Sequence, residues 1–151
     1  MQMDSRRPST SDEYADAIDY RRLAEFRLAL RRFQAFSETA AKEVGLTTQQ
    51  HQALLTVQGF GGKEGLGVGD LAEALLLRHN SAAELVNRLV ALGYVERASD
   101  DRDGRRAIVR LTRDGERKLA SLSSVHLAEL RAIGPRLREL IEWVSAAPDE
   151  V

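Results

Sequence analysis

The stretch "LAEALLLRHNSAAELVNRLVALGYVERASDDRDGRRAIVRLTRDG", residues 71–115, decides the fold. In its first half, apolar residues recur at helical spacing in two blocks, which predicts a short helix over about 69–75 and a second helix ending at Gly93. Its second half contains "YVERA" and "RAIVRL", which are typical of strands. Two helices joined by a tight turn and followed by a hairpin indicate a winged helix-turn-helix.

The second of these helices has one apolar and one polar face. Ala82, Leu85 and Leu89 recur at helical spacing and are predicted to pack inward. A helix that reads DNA presents its N-terminal residues to the base edges of the major groove, where Asn, Ser and Ala side chains each have a base partner. Asn80 and Ser81 are equally compatible with a helix cap. The predicted DNA-binding residues of this helix are His79, Asn80, Ser81, Ala83, Glu84, Asn87 and Arg88.

The predicted hairpin has a tip, "SDDRDGRR" at 99–106, made almost entirely of aspartate and arginine. A hairpin directly after a reading helix lies against the minor groove, whose concentrated negative potential attracts arginine. We therefore predict DNA contacts from Arg102, Arg105 and Arg106. Asp100 and Asp103 are predicted to orient these arginines and to make the wing rigid. A solvated, charged turn without a function is the alternative.

The segments before the helix-turn-helix contain two further predicted helices. The first begins at Asp19 and is followed by Gly45 as a left-handed cap, and the second begins after Thr47, with Gln50 at capping-box spacing. The next stretch, "GFGGKEGLGVGD", has six glycines in twelve residues, which predicts a flexible connector.

After the wing, the sequence predicts two more helices. Thr112 is placed to cap the first, and Gly134-Pro135 is predicted to separate it from the second. The fold class is therefore mainly α with a small β-hairpin wing. The terminal helices are more apolar than a three-helix lobe needs, so we expect a symmetric partner to cover them, with Trp143 as a candidate anchor.

Composition excludes several other functions. The chain has 151 residues and no cysteine, so disulfides and thiol chemistry are absent. Its three histidines fall on separate predicted elements at no metal-binding spacing, so we predict neither an enzyme, a metal site nor a cofactor. The sequence shows no signal peptide and no apolar run of about 18 residues, so we expect a cytoplasmic protein with no membrane partner.

The charge distribution is uneven although the net charge is −1. Residues 78–118 contain ten basic and seven acidic residues, a balance of +3, and the remainder contains twelve basic and sixteen acidic residues, a balance of −4. A positive segment in a negative chain suits a protein that offers one face to a polyanion. The net acidity and Glu84 also leave open an alternative, a winged-helix protein-interaction module that no longer binds DNA.

Residues 71–115 resemble the MarR family of winged-helix transcription regulators. The resemblance lies in the Leu-Ala-Glu-x-Leu helix, the Leu-Val-x-Arg-Leu of the reading helix, the Asp-x-x-Asp-x-Arg wing and the Leu-Thr-x-x-Gly that follows it. In this chain Asp100, Asp103 and Arg105 fill the wing pattern. The likeness extends over about 20–142.

The resemblance implies a homodimeric repressor, or sometimes an activator, that binds a palindromic operator in double-stranded DNA. It further implies that a small, often aromatic effector binds in a pocket between the dimerisation helices and the DNA-binding lobe, and that the protein then releases the DNA. Arg105 would be the minor-groove arginine. Asn87 stands where many relatives carry an aspartate that orients the wing, and Arg78 stands where Ser or Thr often precedes the reading helix, so capping would fall to Asn80 or Ser81.

These inferences give a domain organisation and a candidate pocket. We expect an arm over 1–17, a dimerisation region over 18–45 and 113–146, a DNA-binding lobe over 46–112 and a tail over 147–151. The candidate ligand-pocket residues, each also compatible with an ordinary core position, are Phe33, Phe36, His51 and Phe60.

Overall fold

A computed structural model describes residues 19–100 and 102–146, so the predicted arm, the predicted tail and Asp101 lie outside the described residues. The chain is mainly helical with one small antiparallel sheet, as predicted. The elements in chain order are α1 (Tyr20–Glu43), α2 (Thr48–Thr56), a π-helical turn (Val57–Gly61), β1 (Leu66–Gly67), α3 (Val68–Ala74), α4 (His79–Ala91), β2 (Val95–Ser99), β3 (Ala107–Leu111) and α5 (Arg113–Ala146).

The described residues divide into two compact units, which we call the winged-helix unit, within residues 34–129, and the terminal unit, residues 19–33 and 130–146. The hydrophobic core lies in the winged-helix unit. Burial of these apolar side chains is the main force that holds its short helices together. The large side chains that are almost completely buried there are Leu54, Val57, Leu71, Val86, Leu89, Val109 and Leu122.

The sheet has the strand order β1-β3-β2, with both pairs antiparallel. The predicted hairpin is confirmed, and its register pairs Val95 with Leu111 and Ser99 with Ala107. Val95, Val109 and Leu111 face the core, so alternate residues of the hairpin fix it to the helices. The charged tip therefore extends from a strand pair that is anchored at its base.

The glycine-rich segment is ordered, so the prediction of a flexible connector was wrong. It forms the π-helical turn and then β1, where Leu66 pairs with Val109 and Gly67 with Ile108. The glycines allow close backbone approach: Gly65 has a φ of +93°, and a Cβ there would lie 2.9 Å from the carbonyl oxygen of Val109. The glycines therefore allow the segment to pair as a third strand of the sheet instead of forming a flexible loop.

Pro135 does not divide the last helix, and the prediction of a break there was also wrong. α5 runs for 34 residues with Pro135 inside it. Proline removes one backbone hydrogen bond and usually costs about 3 kcal/mol in a helix interior. Helical residues on both sides, with Leu122 and Leu140 buried, hold the helix together across this position.

The predicted turn chemistry is confirmed at three helix ends. Thr47 and Gln50 form the reciprocal capping box of α2, and Gly45 has a φ of +79° after α1. The Thr112 hydroxyl accepts a hydrogen bond from the Gly115 amide at the start of α5. Leu76, between α3 and α4, has a φ of +55°, an uncommon conformation for leucine, and its side chain is 93% exposed.

The terminal unit has a different surface. Arg136 forms ion pairs with Glu25 and Glu139, and the Arg22 guanidinium lies 5.7 Å from the ring centroid of Trp143. Among its described residues, no helix is long and apolar enough to cross a membrane, and the same is true of the winged-helix unit. The exposed large apolar side chains of the terminal unit are Tyr20, Leu23, Leu28, Leu30, Leu130, Ile141 and Val144.

Candidate nucleic-acid interface

The N-terminal turn of α4 has no side-chain cap, and it carries polar side chains at the surface. The extended residue before the helix is Arg78, and its side chain makes no capping hydrogen bond. Asn80 and Ser81 already lie inside the helix, so the expectation that either one caps it was wrong. Both are exposed, and among the described residues no side-chain partner is found for either. Their polar groups are therefore available to a ligand.

The other predicted residues of α4 divide between its two faces. His79, Glu84, Asn87 and Arg88 are exposed, and Ala83 is half-buried. The inward face is as predicted, with Ala82, Leu85, Val86 and Leu89 buried. The apolar stripe therefore fixes the helix against the core and leaves its polar residues at the surface.

A groove of about 350 Å³ lies between the beginning of α4 and the wing. His79 and Ala83 line it from the helix, and Arg97, Arg105 and Arg106 line it from the hairpin. Asp70 of α3 supplies a negative charge at one side. The structure thus brings the beginning of the predicted reading helix and two of the three predicted wing arginines to one surface, whereas Arg102 does not line this groove.

Asn87 connects α4 to the hairpin. Its Oδ1 accepts a hydrogen bond of 2.7 Å from Nη2 of Arg97, which lies in β2. Sequence reasoning placed Asn87 at a wing-orienting position but sought the arginine's partner among the wing aspartates, and it missed Arg97. The sequence feature that could have indicated this contact is an arginine in β2, two residues after the buried Val95.

Asp100 and Asp103 shape the wing through its backbone. The Asp100 carboxylate accepts from the Arg102 amide at 2.9 Å, and the Asp103 carboxylate accepts from the Arg105 amide at 3.1 Å. These are Asx turns, which stabilise tight backbone conformations. Among the described residues neither carboxylate binds a guanidinium, so the aspartates order the loop rather than pair with the arginine head groups.

The wing arginines have different surroundings. Arg106 forms an ion pair with Asp70, whose importance sequence reasoning missed because the two residues are 36 positions apart. Arg102 and Arg105 are exposed, and no partner for either guanidinium is found in the described part of the chain. Arg105 therefore carries an uncompensated positive charge at the groove.

The four candidate pocket residues do not share one environment. Phe33 belongs to the terminal unit, whereas Phe36, His51 and Phe60 belong to the winged-helix unit. The Phe60 side chain is 76% exposed, and His51 is buried. Phe36 is half-buried and lies edge-on to His126, with the ring centroids 5.7 Å apart.

Two histidines that sequence reasoning placed on separate elements meet in the winged-helix unit. The rings of His51 and His126 are 4.6 Å apart, and His126 bonds the Ser37 hydroxyl and the Leu122 carbonyl, each at 2.7 Å. Within the described part of the chain, Nδ1 of His51 has no hydrogen-bond partner. Desolvation, followed by the proximity of His126, lowers the pKa of His51 below its ordinary value.

Within residues 19–100 and 102–146, no three side chains from the His, Cys, Asp and Glu group lie together as metal ligands would. Ser37 and His126 are both buried, which places their hydrogen bond inside the packed core.

Comparison with known proteins identifies the winged-helix part of the chain. A MarR family model matches residues 44–106. The transcriptional activatory protein BadR of Rhodopseudomonas palustris is 34% identical over 76 residues, which are 50% of this chain and 43% of that protein. The match to this relative therefore spans less than half of its length.

Solved structures extend the likeness in fold to most of the chain. The structure of the S. aureus MepR–DNA complex has a TM-score of 0.67 and 22% identity, and the match covers 85% of this chain and 93% of that one. The MarR family transcriptional regulator AbsC from Streptomyces coelicolor has a TM-score of 0.68 and 21% identity, with coverages of 94% and 93%. At these identities the two structures establish the fold.

Proposed function

We propose that the chain, whose residues 44–106 match a MarR family model, is a winged-helix transcription regulator of that family and binds double-stranded DNA in a sequence-specific manner as a homodimer. The two reading helices of such a dimer would contact successive major grooves, which requires a palindromic operator with half-sites about 10 bp apart or a multiple of it. The MepR–DNA complex, which shares the fold, supports this mode of binding.

One observation carries the proposal: His79 and Ala83, from the beginning of α4, line one groove together with Arg105, and the exposed Asn80 and Ser81 belong to the same helical turn. Asn80 and Ser81 provide donors and acceptors for base edges, and the helix N-terminus favours a phosphate. Arg105 extends from the wing, where an arginine side chain fits a narrow minor groove. Helix and wing would then contact adjacent grooves of one half-site.

The homodimer is supported by the terminal unit. Among the described residues of this unit seven large apolar side chains are exposed, more than isolated surface positions require. A second copy would cover them by presenting the same surface, which gives a two-fold interface. The proposed dimerisation region is 18–45 with 113–146, and the proposed DNA-binding lobe is 46–112.

Repression and release by an aromatic effector remain predictions from the family resemblance. Two of the pocket candidates, Phe36 and His51, each contact the ring of His126 in the winged-helix unit. Phe60, which is largely exposed, contributes less to such a pocket than the sequence suggested. The sign of regulation depends on where the operator lies relative to a promoter.

The test is selection of bound sequences from a random double-stranded DNA library, followed by affinity measurements on the enriched site. We expect the wild-type protein to enrich a palindrome. Arg105→Ala should then weaken binding by about 1–3 kcal/mol, or roughly fivefold to 150-fold, because it removes a groove contact.

Arg110→Ala is the matched control, since Arg110 is an exposed arginine of the same hairpin that pairs with Glu96. This variant should retain most of the wild-type affinity. If the wild-type protein enriches no sequence, DNA recognition is wrong and the protein-interaction module becomes the better function. Equal losses in both variants would show a general charge effect instead of an Arg105 contact.

A further inference from the structure

Arg106 is held on three sides within the winged-helix unit. Its amide donates to the Asp103 carbonyl at 2.9 Å, and its carbonyl accepts from the Asp100 amide at 3.0 Å. Its guanidinium pairs with the carboxylate of Asp70 in the first turn of α3. One residue thus closes the wing loop with its backbone and connects that loop to a helix with its side chain.

Gly67 makes room for this connection. It is buried and pairs with Ile108 across the sheet, and a Cβ placed on it would lie 2.7 Å from Nε of Arg106. Such a distance is below any normal contact, so a side chain at position 67 would displace the guanidinium from the place where it pairs with Asp70. The backbone of Gly67 has a φ of −64°, which alanine also adopts. The glycine therefore acts through space and not through conformation.

The neighbouring arginine has the opposite arrangement. The Arg105 amide is fixed by the Asp103 carboxylate at 3.1 Å, while its guanidinium has no partner in the described part of the chain. Because Arg105 and Arg106 are consecutive, fixing one of them constrains the direction in which the other leaves the loop.

We propose that Asp70 and Gly67 are positioning residues for DNA recognition: they hold Arg106 as an internal tether of the wing, so that Arg105 alone of this pair contacts DNA. The proposal rests on the proposed function for its DNA-binding consequence. The tether itself is a property of the free protein, and it assigns to Arg106 a role different from the groove contact that the sequence suggested.

The experiment compares Asp70→Asn, Gly67→Ala and Arg106→Gln in the full chain. Gly67→Ala displaces the guanidinium without changing any charge, and Gly69→Ala is its matched control, since a Cβ at Gly69 meets nothing within 4 Å. Glu73→Gln, an exposed position in the same helix, controls for the loss of a negative charge.

The first readout is hydrogen exchange of the free protein, which does not depend on DNA. We expect the wing amides of Asp100 and Arg106 to exchange about fivefold faster in the three test variants than in the wild type and the controls, because an exposed ion pair contributes up to about that factor. Unchanged exchange in all three variants would overturn the tether.

The second readout is affinity for the selected DNA site across a salt series. A tether predicts that all three variants lose about fivefold in affinity while the slope of log affinity against log salt stays as in the wild type. A direct phosphate contact by Arg106 instead predicts a slope smaller by about 0.9 per contact in Arg106→Gln alone. Tighter binding by Asp70→Asn than by Glu73→Gln would also overturn the proposal, since Asp70 would then compete with DNA for Arg106.

The two readouts separate the two proposals. If the wild-type protein selects no DNA sequence but exchange rises in the three variants, the tether stands and the proposed function fails. If the wild-type protein selects a palindrome and the variants match it in exchange and affinity, the proposed function stands and the tether fails.

Discussion

The two compact units of this chain differ in how completely they bury their large apolar side chains. In the winged-helix unit apolar side chains from its helices and strands converge on one core, and Leu54, Leu71 and Leu89 have no exposed surface. In the described part of the terminal unit, Leu140 is the one large side chain of this kind, while Ile141 and Val144 remain more than half exposed. Exposed large apolar side chains occur in both units, but the terminal unit has fewer described residues, so a larger share of its surface is available for association.

This difference teaches that stability and assembly can be altered separately. A substitution in the core should act on the free energy of unfolding at any protein concentration. A substitution on the exposed face of the terminal unit should act on the proposed dimer, and its effect should depend on protein concentration.

The largest expected effect comes from a matched pair of leucine truncations. Leu89→Ala should lower the free energy of unfolding by about 3 kcal/mol, because Leu89 is completely buried and its removal leaves a cavity. Leu130→Ala, at a side chain that is 40% exposed, should cost less than about 1 kcal/mol at concentrations where the protein is monomeric. Urea unfolding measures both, and equal losses would contradict the contrast between the units.

A second prediction concerns the proposed dimer. Ile141→Ala should weaken it by about 2 kcal/mol, or roughly thirtyfold in the dissociation constant, because a two-fold interface loses the side chain twice. Leu55→Ala is the control, since Leu55 is equally exposed but lies in the winged-helix unit. Analytical ultracentrifugation over a dilution series measures the dissociation constant. An unchanged constant in Ile141→Ala would show that this face is not the interface.

The smallest effect is a dependence of stability on pH. The pKa of His51 is lower in the folded protein than in the unfolded chain, chiefly because burial penalises the charged ring. Its contribution to stability is therefore complete above the unfolded pKa of about 6.5, and it decreases as the pH falls from there through the folded pKa, since the unfolded chain takes up the proton first. For one proton, the free energy of unfolding changes by at most about 1.4 kcal/mol per pH unit.

Urea midpoints between pH 7.5 and pH 5 test this dependence. His51→Phe should reduce the slope, whereas His79→Gln, at an exposed histidine, should leave it as in the wild type. A slope that persists in His51→Phe would assign the pH dependence to other groups.

The elements predicted best from sequence were those whose signals are local. The spacing of Leu85, Val86 and Leu89 predicted the inward face of α4, and Thr47 with Gln50 predicted a helix start that the structure confirms. The hairpin was also predicted, because "YVERA" and "RAIVRL" are typical of strands and a short charged turn lies between them. In each of these cases the residues that determine the structure are neighbours in sequence.

The errors arose where distant residues decide. The glycine-rich segment is ordered because β3, some 40 positions away, pairs with it, and nothing within the segment announces that strand. Pro135 is tolerated because both flanking stretches remain helical, an effect that outweighs its local preference. For the same reason the contacts Asn87–Arg97 and Asp70–Arg106 required the structure.

Leu76 bears on how the sequence could change. A left-handed backbone costs a residue with a side chain about 1–2 kcal/mol, whereas glycine adopts it freely. Because the Leu76 side chain is almost entirely exposed, it recovers little of this cost through packing. A change of Leu76 to glycine or asparagine should therefore stabilise the turn between α3 and α4. Such a change would offset part of the cost of a destabilising substitution in the reading helix that follows.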